Sequence, residues 1–501
     1  MLFSDLGIFA NVVVSASYHQ RSHQPLSANL LFKSLQIVIG QHPLLSVIFR
    51  RQSSLTKAGN HQLWKARLNS INIEDCVSFL DDYDDSDIGM RKLFEKVHNE
   101  WFDTEDKTRP LWKVIVVNRV HVLFVYHHAV CDGIAGTAFH QSLLAALNKV
   151  SKEDYTSSSS SFIASTPDTP FPADAIPVFQ EQSRSSSIIR IIILYVWLRI
   201  LSLFLRKRDW VFSDANYSMQ VPAVVNGPRS EGDRCVTRLQ SLRLSSSVLT
   251  SSLEACKKNN TTFTSMLVTL IDTTLATDIY PSSKYRILAT QVNLRRYAAQ
   301  KDNIRNLGST LTQASSVSAH RNVTKDSLLR SSPETLLGKT EVAMDKPLFW
   351  ELARKHNNSL KRALTDEKNI TPVPIQDLLL LSKSNDDEEA VASQLLPGIG
   401  VMAEHSYCMS NLGAFEQRVG GDGNGMQGDE ETGPWKIGDI EFTCSATAPC
   451  CGYLLYFAVL SLKGGACMVN ISYVKGVLED ERVTMIIDKI ELRLKALLES
   501  N

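Results

Sequence analysis

Two adjacent histidines, His127 and His128, stand shortly before Asp132 and Gly133 in the stretch H-H-A-V-C-D-G. A neutral imidazole, with its ordinary pKa near ~6.5, can take a proton at cellular pH, so a positioned histidine suits general-base chemistry on a hydroxyl. Asp132 is four residues beyond His128, too far along the chain to be taken as its hydrogen-bond partner from spacing alone. His128 and Asp132, with His127 or His140 nearby, are residue types that bind metals. No H-E-x-x-H or cysteine-rich ligand set accompanies them, and no metal is expected. Cys131 is expected to pack as a small apolar residue rather than to act as a nucleophile. A histidine pair at a strand end can equally be structural.

The residues on either side say how these groups are positioned. The β-branched and aromatic run from Val120 to Tyr126 predicts a strand that stops at the histidines. A second apolar run, from Trp112 to Val117, precedes it across Asn118-Arg119, the pattern of a tight hairpin. Beyond the motif, Ala135, Phe139, Leu143 and Ala146 share one stripe of a helix expected from Ile134 to Lys149. The imidazole is thus predicted where a strand ends, with Asp132 at the N-cap of the next helix and Gly133 allowing close backbone approach.

The form H-H-x-x-x-D-G resembles the active-site signature of the acyltransferase superfamily that includes chloramphenicol acetyltransferase, plant acyl-CoA-dependent acyltransferases and peptide-synthetase condensation domains. Further stretches narrow the resemblance to the fungal alcohol O-acetyltransferase branch: Leu6-Gly-Ile-Phe-Ala-Asn-Val-Val-Val, His42-Pro-Leu-Leu, Pro110-Leu-Trp, Val292-Asn-Leu-Arg-Arg and Ser410-Asn-Leu-Gly-Ala-Phe. They occur in order over nearly the whole chain. The Asp-Phe-Gly-Trp-Gly element of the plant enzymes is absent, and Trp435-Lys-Ile-Gly-Asp-Ile lies at a roughly comparable place. The resemblance implies an α/β fold of two similar mixed-sheet halves with the active-site tunnel between them. It implies that His128 is the general base and that Asp132 pairs with Arg295 from the other half instead of touching substrate. His127 and Gly133 are then supports of the site. Without the resemblance, Arg295 reads as an ordinary surface cation. A tetrahedral intermediate needs donors to its oxyanion, and Ser410, Asn411 and backbone amides near Gly413 are the candidates.

Composition sets the outer limits. A chain of 501 residues, 44% hydrophobic and 21% charged, has the make-up of a globular protein with two or more folding units. Fifty-three basic residues balance 53 acidic ones, so charge gives no reason to expect a nucleic-acid partner. Nine scattered cysteines without a C-x-x-C pair, and no secretory pattern at the start, point to a reduced intracellular compartment. The expected organisation is a first acyltransferase half over 1–150, a linker over 151–220 and a second half over 221–501.

The linker holds a serine run (157–161), several prolines and an apolar stretch from Ile188 to Leu205. In that stretch Tyr195, Arg199, Ser202 and Arg206 share one polar stripe, and Arg206-Lys207-Arg208 suits anionic headgroups. A helix lying in a membrane interface is expected rather than a single span, which would put His128 and Arg295 on opposite sides. The other candidate is a buried helix capping the acyl channel. Strands are also expected over 8–18 and 45–50, and helices over 95–102 and 263–276. The resemblance further implies a helix ahead of the first strand, so the chain is expected to be short at its N-terminus.

These observations lead to an expected transfer of an acetyl or short acyl group from acetyl-CoA, as co-substrate, to an alcohol hydroxyl, with no permanently bound cofactor. The alternatives are acylation of a polyketide or terpenoid hydroxyl from a CoA or carrier-protein donor, and an inactive membrane-associated binding protein of the same fold. The expected location is cytoplasmic, or peripheral on the endoplasmic reticulum or lipid droplets.

Overall fold

The computed structural model describes residues 11–53, 61–151, 162–166, 234–280, 288–293, 315–320, 345–365, 405–417, 433–447 and 453–499, with single positions 168, 170, 171, 193, 196 and 200. Strand β1 (Asn11–Gln20) is buried over its first eight residues, as its apolar and small side chains require. Helix α1 (Ala28–Gln41) starts where the Ser27 hydroxyl accepts from the Leu30 N–H, and His42-Pro43 ends it. Pro43–Ser46 forms a 3-10 turn, so β2 (Val47–Ser53) begins two residues after the expected Leu45. It pairs antiparallel with β3 (His61–Arg67). The short β4 (Ser70–Asn72) and β5 (Val77–Leu80) follow.

Helix α2 (Asp87–Asn99) starts eight residues before the expected Glu95. The Ser86 hydroxyl caps it by accepting from the Gly89 N–H. The acidic run from Asp81 to Asp87 hides a start whose buried stripe is Met90, Leu93, Phe94 and Val97. Strands β6 (Trp112–Val117) and β7 (His121–His127) form the expected hairpin. Asn118 and Arg119 at its tip have φ of 49° and 58°, the positive pair that a two-residue hairpin turn demands. Helix α3 (Gly133–Val150) and β8 (Ile163–Ser165) complete this part of the chain.

The second part contains β9 (Thr237–Leu244), α4 (Ser246–Lys258), α5 (Phe263–Thr274), β10 (Leu288–Asn293), β11 (Ser315–His320) and α6 (Lys346–Thr365). It continues with β12 (His405–Phe415), β13 (Trp435–Cys444), β14 (Tyr453–Leu462), β15 (Cys467–Val474) and α7 (Asp480–Leu498). Helix α5 ends in a π turn over Leu275–Ile279, short of the expected regular helix to Ala276.

Two mixed sheets result. One runs β13-β1-β7-β6-β5 and the other β11-β10-β12-β14-β15-β9. β13 lies late in the chain yet joins the first sheet, antiparallel to β1 from Val12↔Cys444 to Gln20↔Trp435. The division near residue 221 therefore separates the chain but not the two sheets. The halves are also stitched through α2. The Glu95 carboxylate accepts from Arg238 Nη1 at 2.9 Å and from the Leu239 N–H at 2.8 Å, and Asn99 bonds the Thr237 backbone at both of its polar groups.

Of the apolar run from Ile188 to Leu205, Ile193, Val196 and Ile200 are helical and exposed, at 60%, 48% and 49%. Its other positions, the serine run and the inserts over 384–389 and 420–432 lie outside the described residues. Among the described residues no helix is long and apolar enough to cross a membrane.

Candidate active site

β7 ends at His127, so His128 stands at the first position beyond the strand, half-buried, and a tight turn follows. The Val130 N–H donates to the His127 carbonyl at 2.9 Å, and the His127 ring takes the Ala129 N–H on Nδ1 at 3.0 Å. That bond puts the neutral ring's proton on Nε2. His127 is buried against Phe102, with ring centroids 6.5 Å apart, and burial drives its pKa far below the usual 6.5. His127 thus braces the turn and stays uncharged.

The His128 pKa is also lowered, first by burial. Working the other way are its own backbone carbonyl, that of Cys131, and the negative charge of Asp132. A neutral imidazole is what a general base needs.

Asp132 is the N-cap of α3, as expected. Its Oδ1 accepts from the Ala135 N–H at 2.9 Å, and its carbonyl accepts from the Tyr126 hydroxyl at 2.8 Å. The residue is buried, and its role is to lock the turn between β7 and α3. Asp132→Ala is expected to cost about 1 kcal/mol or more through loss of the cap, whereas Asp132→Asn keeps an acceptor and should recover most of it. Paired denaturant melts of the two variants check this; equal losses would mean that the charge, not the cap, matters.

Gly133 opens α3 at a contact with the second half. A Cβ there would lie 3.0 Å from Leu412 Cδ2 and 3.2 Å from Phe442 Cε2, which explains the expected close approach. Gly136 went unrecognised in the sequence. A Cβ on it would fall 2.4 Å from Val14 Cγ2 and 2.7 Å from the Tyr126 hydroxyl, so it lets α3 settle on β1 and β7. The G-x-x-G spacing was its one available signal. Asn11 was also missed. It lies on β1 opposite His127 of β7, and its Nδ2 donates to the Val97 and Glu100 carbonyls, tying α2 to the His127 end of the sheet.

His140 lies on α3 with both ring nitrogens engaged, Nδ1 by the Tyr18 hydroxyl and Nε2 by the Val14 carbonyl, each at 2.9 Å. Those contacts remove it from any ligand set around His128. Cys131 is fully buried, as expected of a packing residue. Two of the distant sequence landmarks meet directly. Trp112 Nε1 donates to the Leu45 carbonyl at 2.6 Å, joining Pro110-Leu-Trp to His42-Pro-Leu-Leu. The Leu111 carbonyl in turn accepts the His127 N–H at 2.9 Å.

Ser410 and Asn411 lie on β12 with opposite orientations. Ser410 is buried and shares the face of Leu412, which touches the Gly133 position of the first half. Asn411 turns toward α5, where its Nδ2 donates to Thr264 Oγ1 at 3.0 Å and its Oδ1 accepts the Gly413 N–H at 2.8 Å. The structure therefore brings Ser410, and not the Asn411 carboxamide, to the junction of the halves. β10 carries Val292 and Asn293, while Arg295 lies outside the described residues, and its pairing with Asp132 with it.

The family model for alcohol acetyltransferases (AATase) matches residues 4–492. The chain belongs to the alcohol acetyltransferase family. Among curated proteins it is similar to one named probable alcohol acetyltransferase crmB of Aspergillus fumigatus, 28% identical over 156 residues, which are 29% of this chain and 34% of that protein. An uncharacterized protein of Schizosaccharomyces pombe is 27% identical over 154 residues, 30% of this chain and 31% of its own. The aligned stretches thus span about a third of these relatives.

Among solved structures, the TRI3 trichothecene 15-O-acetyltransferase of Fusarium sporotrichioides matches with a TM-score of 0.61 at 12% identity, over 99% of this chain and 92% of that one. The first condensation domain of the calcium-dependent antibiotic synthetase matches with the same TM-score of 0.61 at 11% identity, over 99% and 93%. At such identities the likeness is one of fold, and the fold is the two-sheet acyltransferase type expected from the sequence.

Proposed function

We propose that this member of the alcohol acetyltransferase family transfers an acetyl or other short acyl group from acetyl-CoA to an alcohol, with His128 as the general base. The observation that carries it is the His128 imidazole, held neutral at the end of β7 beside the junction of the two halves. The alcohol gives its proton to the His128 imidazole as its oxygen attacks the thioester carbonyl carbon. The tetrahedral intermediate then collapses with cleavage of the C–S bond, and the departing thiolate takes the proton back from His128. No acyl-enzyme is needed when both substrates meet at one histidine.

The experiment is thiol release from acetyl-CoA across a panel of short and long alcohols. Alcohol-dependent release supports the assignment, and none from a folded protein that binds acetyl-CoA would sink it for those acceptors. Acyl donors on a carrier protein belong in the same panel, since the fold is shared with condensation domains. The pH profile is a second test. A base that works unprotonated loses activity as pH falls, so kcat/KM should drop on the acid side through a pKa below 6.5, the direction in which burial moves His128. An acid limb well above 6.5 would point to another group.

Peripheral membrane contact through the run from Ile188 to Leu205 is part of the same proposal. It is supported by the exposure of Ile193, Val196 and Ile200 and by the adjacent Arg206-Lys207-Arg208. Flotation with anionic vesicles, with and without that run, tests it, and recovery of the intact chain only in the dense fraction would count against it.

A further inference from the structure

Four segments far apart in the chain close a ring of hydrogen bonds at the His127 end of the first sheet. The ring starts at Asn11, which lies on β1 opposite His127. Its Nδ2 donates to two carbonyls at the C-terminal end of α2, those of Val97 at 3.0 Å and Glu100 at 3.1 Å. Between these two lies Asn99, which clasps Thr237 at the start of β9. Its carboxamide donates to the Thr237 carbonyl at 3.0 Å and accepts the Thr237 N–H at 2.8 Å. The Thr237 hydroxyl oxygen accepts the Ala446 N–H at 3.0 Å, just beyond β13. The neighbouring Ser445 N–H returns to the Asn11 carbonyl at 2.9 Å. A cross-tie runs from His98 Nε2 of α2 to Thr443 Oγ1 of β13 at 2.8 Å.

Asn11 is the hub of this ring. It is fully buried, and its Oδ1 has no hydrogen-bond partner. The α2 carbonyls alone therefore orient its carboxamide. A fully buried side chain with an unsatisfied oxygen is a poor choice for stability alone.

The end of α2 reaches His127 by a second route as well. Phe102, two residues past Glu100, meets the His127 ring edge-on with centroids 6.5 Å apart. His127 in turn shapes the turn that carries His128, through the Ala129 N–H at 3.0 Å and the Val130 N–H at 2.9 Å. From Thr237 of the second half to that turn, every link is a direct contact or a step along one rigid element.

We propose that Asn11 is a positioning residue for acyl transfer. It fixes the end of α2 against β7, so that the seating of β9 on α2 sets the place of the His128 imidazole. This rests on acyl transfer at His128, and Asn11 acts on it only through α2 and His127.

The test compares wild type, Asn11→Ala, Asn99→Ala, their double variant and Arg243→Ala in the thiol-release assay, each with an unfolding midpoint. A reacting group misplaced by about 1 Å can cost roughly 10²-fold in rate. Asn11→Ala should therefore lose roughly 10–100-fold in kcat with KM for acetyl-CoA nearly unchanged. Asn99→Ala, at a half-buried position, should fall in the same sense. The double variant should be no worse than Asn11→Ala, because both act along one path. Arg243→Ala is the control. It removes the ion pair from β9 to Asp439 of β13, which joins the same seam about 20 Å along β9 from Thr237, and should leave kcat within about twofold.

A second readout needs no turnover. Carbethoxylation of His128 by diethylpyrocarbonate at neutral pH is followed by mass spectrometry of its peptide. His128 should react several-fold faster in Asn11→Ala and in Asn99→Ala than in wild type, and at the wild-type rate in Arg243→Ala. Should Asn11→Ala not fold, Asn99→Ala decides by itself. Wild-type reactivity of His128 in the folded ring variants, kcat losses that multiply in the double variant, or an equal effect from Arg243→Ala would overturn the assignment. Faster modification in the ring variants of a protein that turns over no alcohol tried upholds the positioning of His128 and counts only against acyl transfer.

Discussion

His128→Ala is expected to lower kcat by about 10²–10⁴-fold, the range that a positioned general base contributes. The unfolding midpoint should stay near that of wild type, because the ring is half-buried and no strand or helix hydrogen bond depends on it. His127→Ala should behave in the opposite way. Its ring holds the Ala129 N–H and packs on Phe102, so its loss should disturb the turn and lower stability together with rate. Steady-state kinetics and denaturant melts on both variants separate the two histidines. A folded His128→Ala enzyme with near-wild-type kcat would remove the general base from the mechanism.

The second large effect is on stability at mildly acidic pH. Burial lowers several histidines in the folded protein besides His127 and His128, among them His42 to about 4, His98 to about 3 and His140 to about 4 from an ordinary 6.5. In the unfolded chain each binds a proton below ~6.5, whereas in the folded protein each stays neutral until the pH approaches its lowered value. Their contribution is therefore complete above ~6.5 and lost as the pH falls below it. Each histidine contributes a slope of up to about 1.4 kcal/mol per pH unit. Between pH 6.5 and 5 the sum is several kcal/mol, against a total stability of about 5–15 kcal/mol for a typical domain.

Urea melts at stepped pH should show this fall, and a midpoint flat down to pH 5 would refute it. His140→Gln offers a check on the cause. Glutamine supplies a donor and an acceptor where His140 meets Val14 and Tyr18 but cannot titrate, so the acid slope should flatten by one histidine's share, up to about 1.4 kcal/mol per pH unit.

Local patterns were legible wherever the driving force is local. The hairpin at Asn118-Arg119, the strand into His127 and the Asp132 cap depend on residues within a few positions of each other, and each is present where the sequence placed it. Helix α2 was half missed because polar residues crowd its first turns, and its stripe matters only against a sheet assembled from elsewhere. β12 and β13 were not foreseen as strands. β12 is short of β-branched residues, whereas β13 carries the apolar–polar alternation of a half-buried strand, a local signal beside a long polar insert.

What the sequence determined by itself was the turn between β7 and α3: a histidine at a strand end, an aspartate at the following N-cap, a glycine beside it, and through the ordered landmarks the family and its two-sheet fold. Adjacent residues set that geometry through their own backbone hydrogen bonds. The tertiary structure alone decided the rest. It placed β13 from the far end of the chain against β1, and turned Ser410 toward the junction and Asn411 away from it. These relations join residues hundreds of positions apart. They follow from strand register and the packing of two separate sheets, which no local spacing encodes.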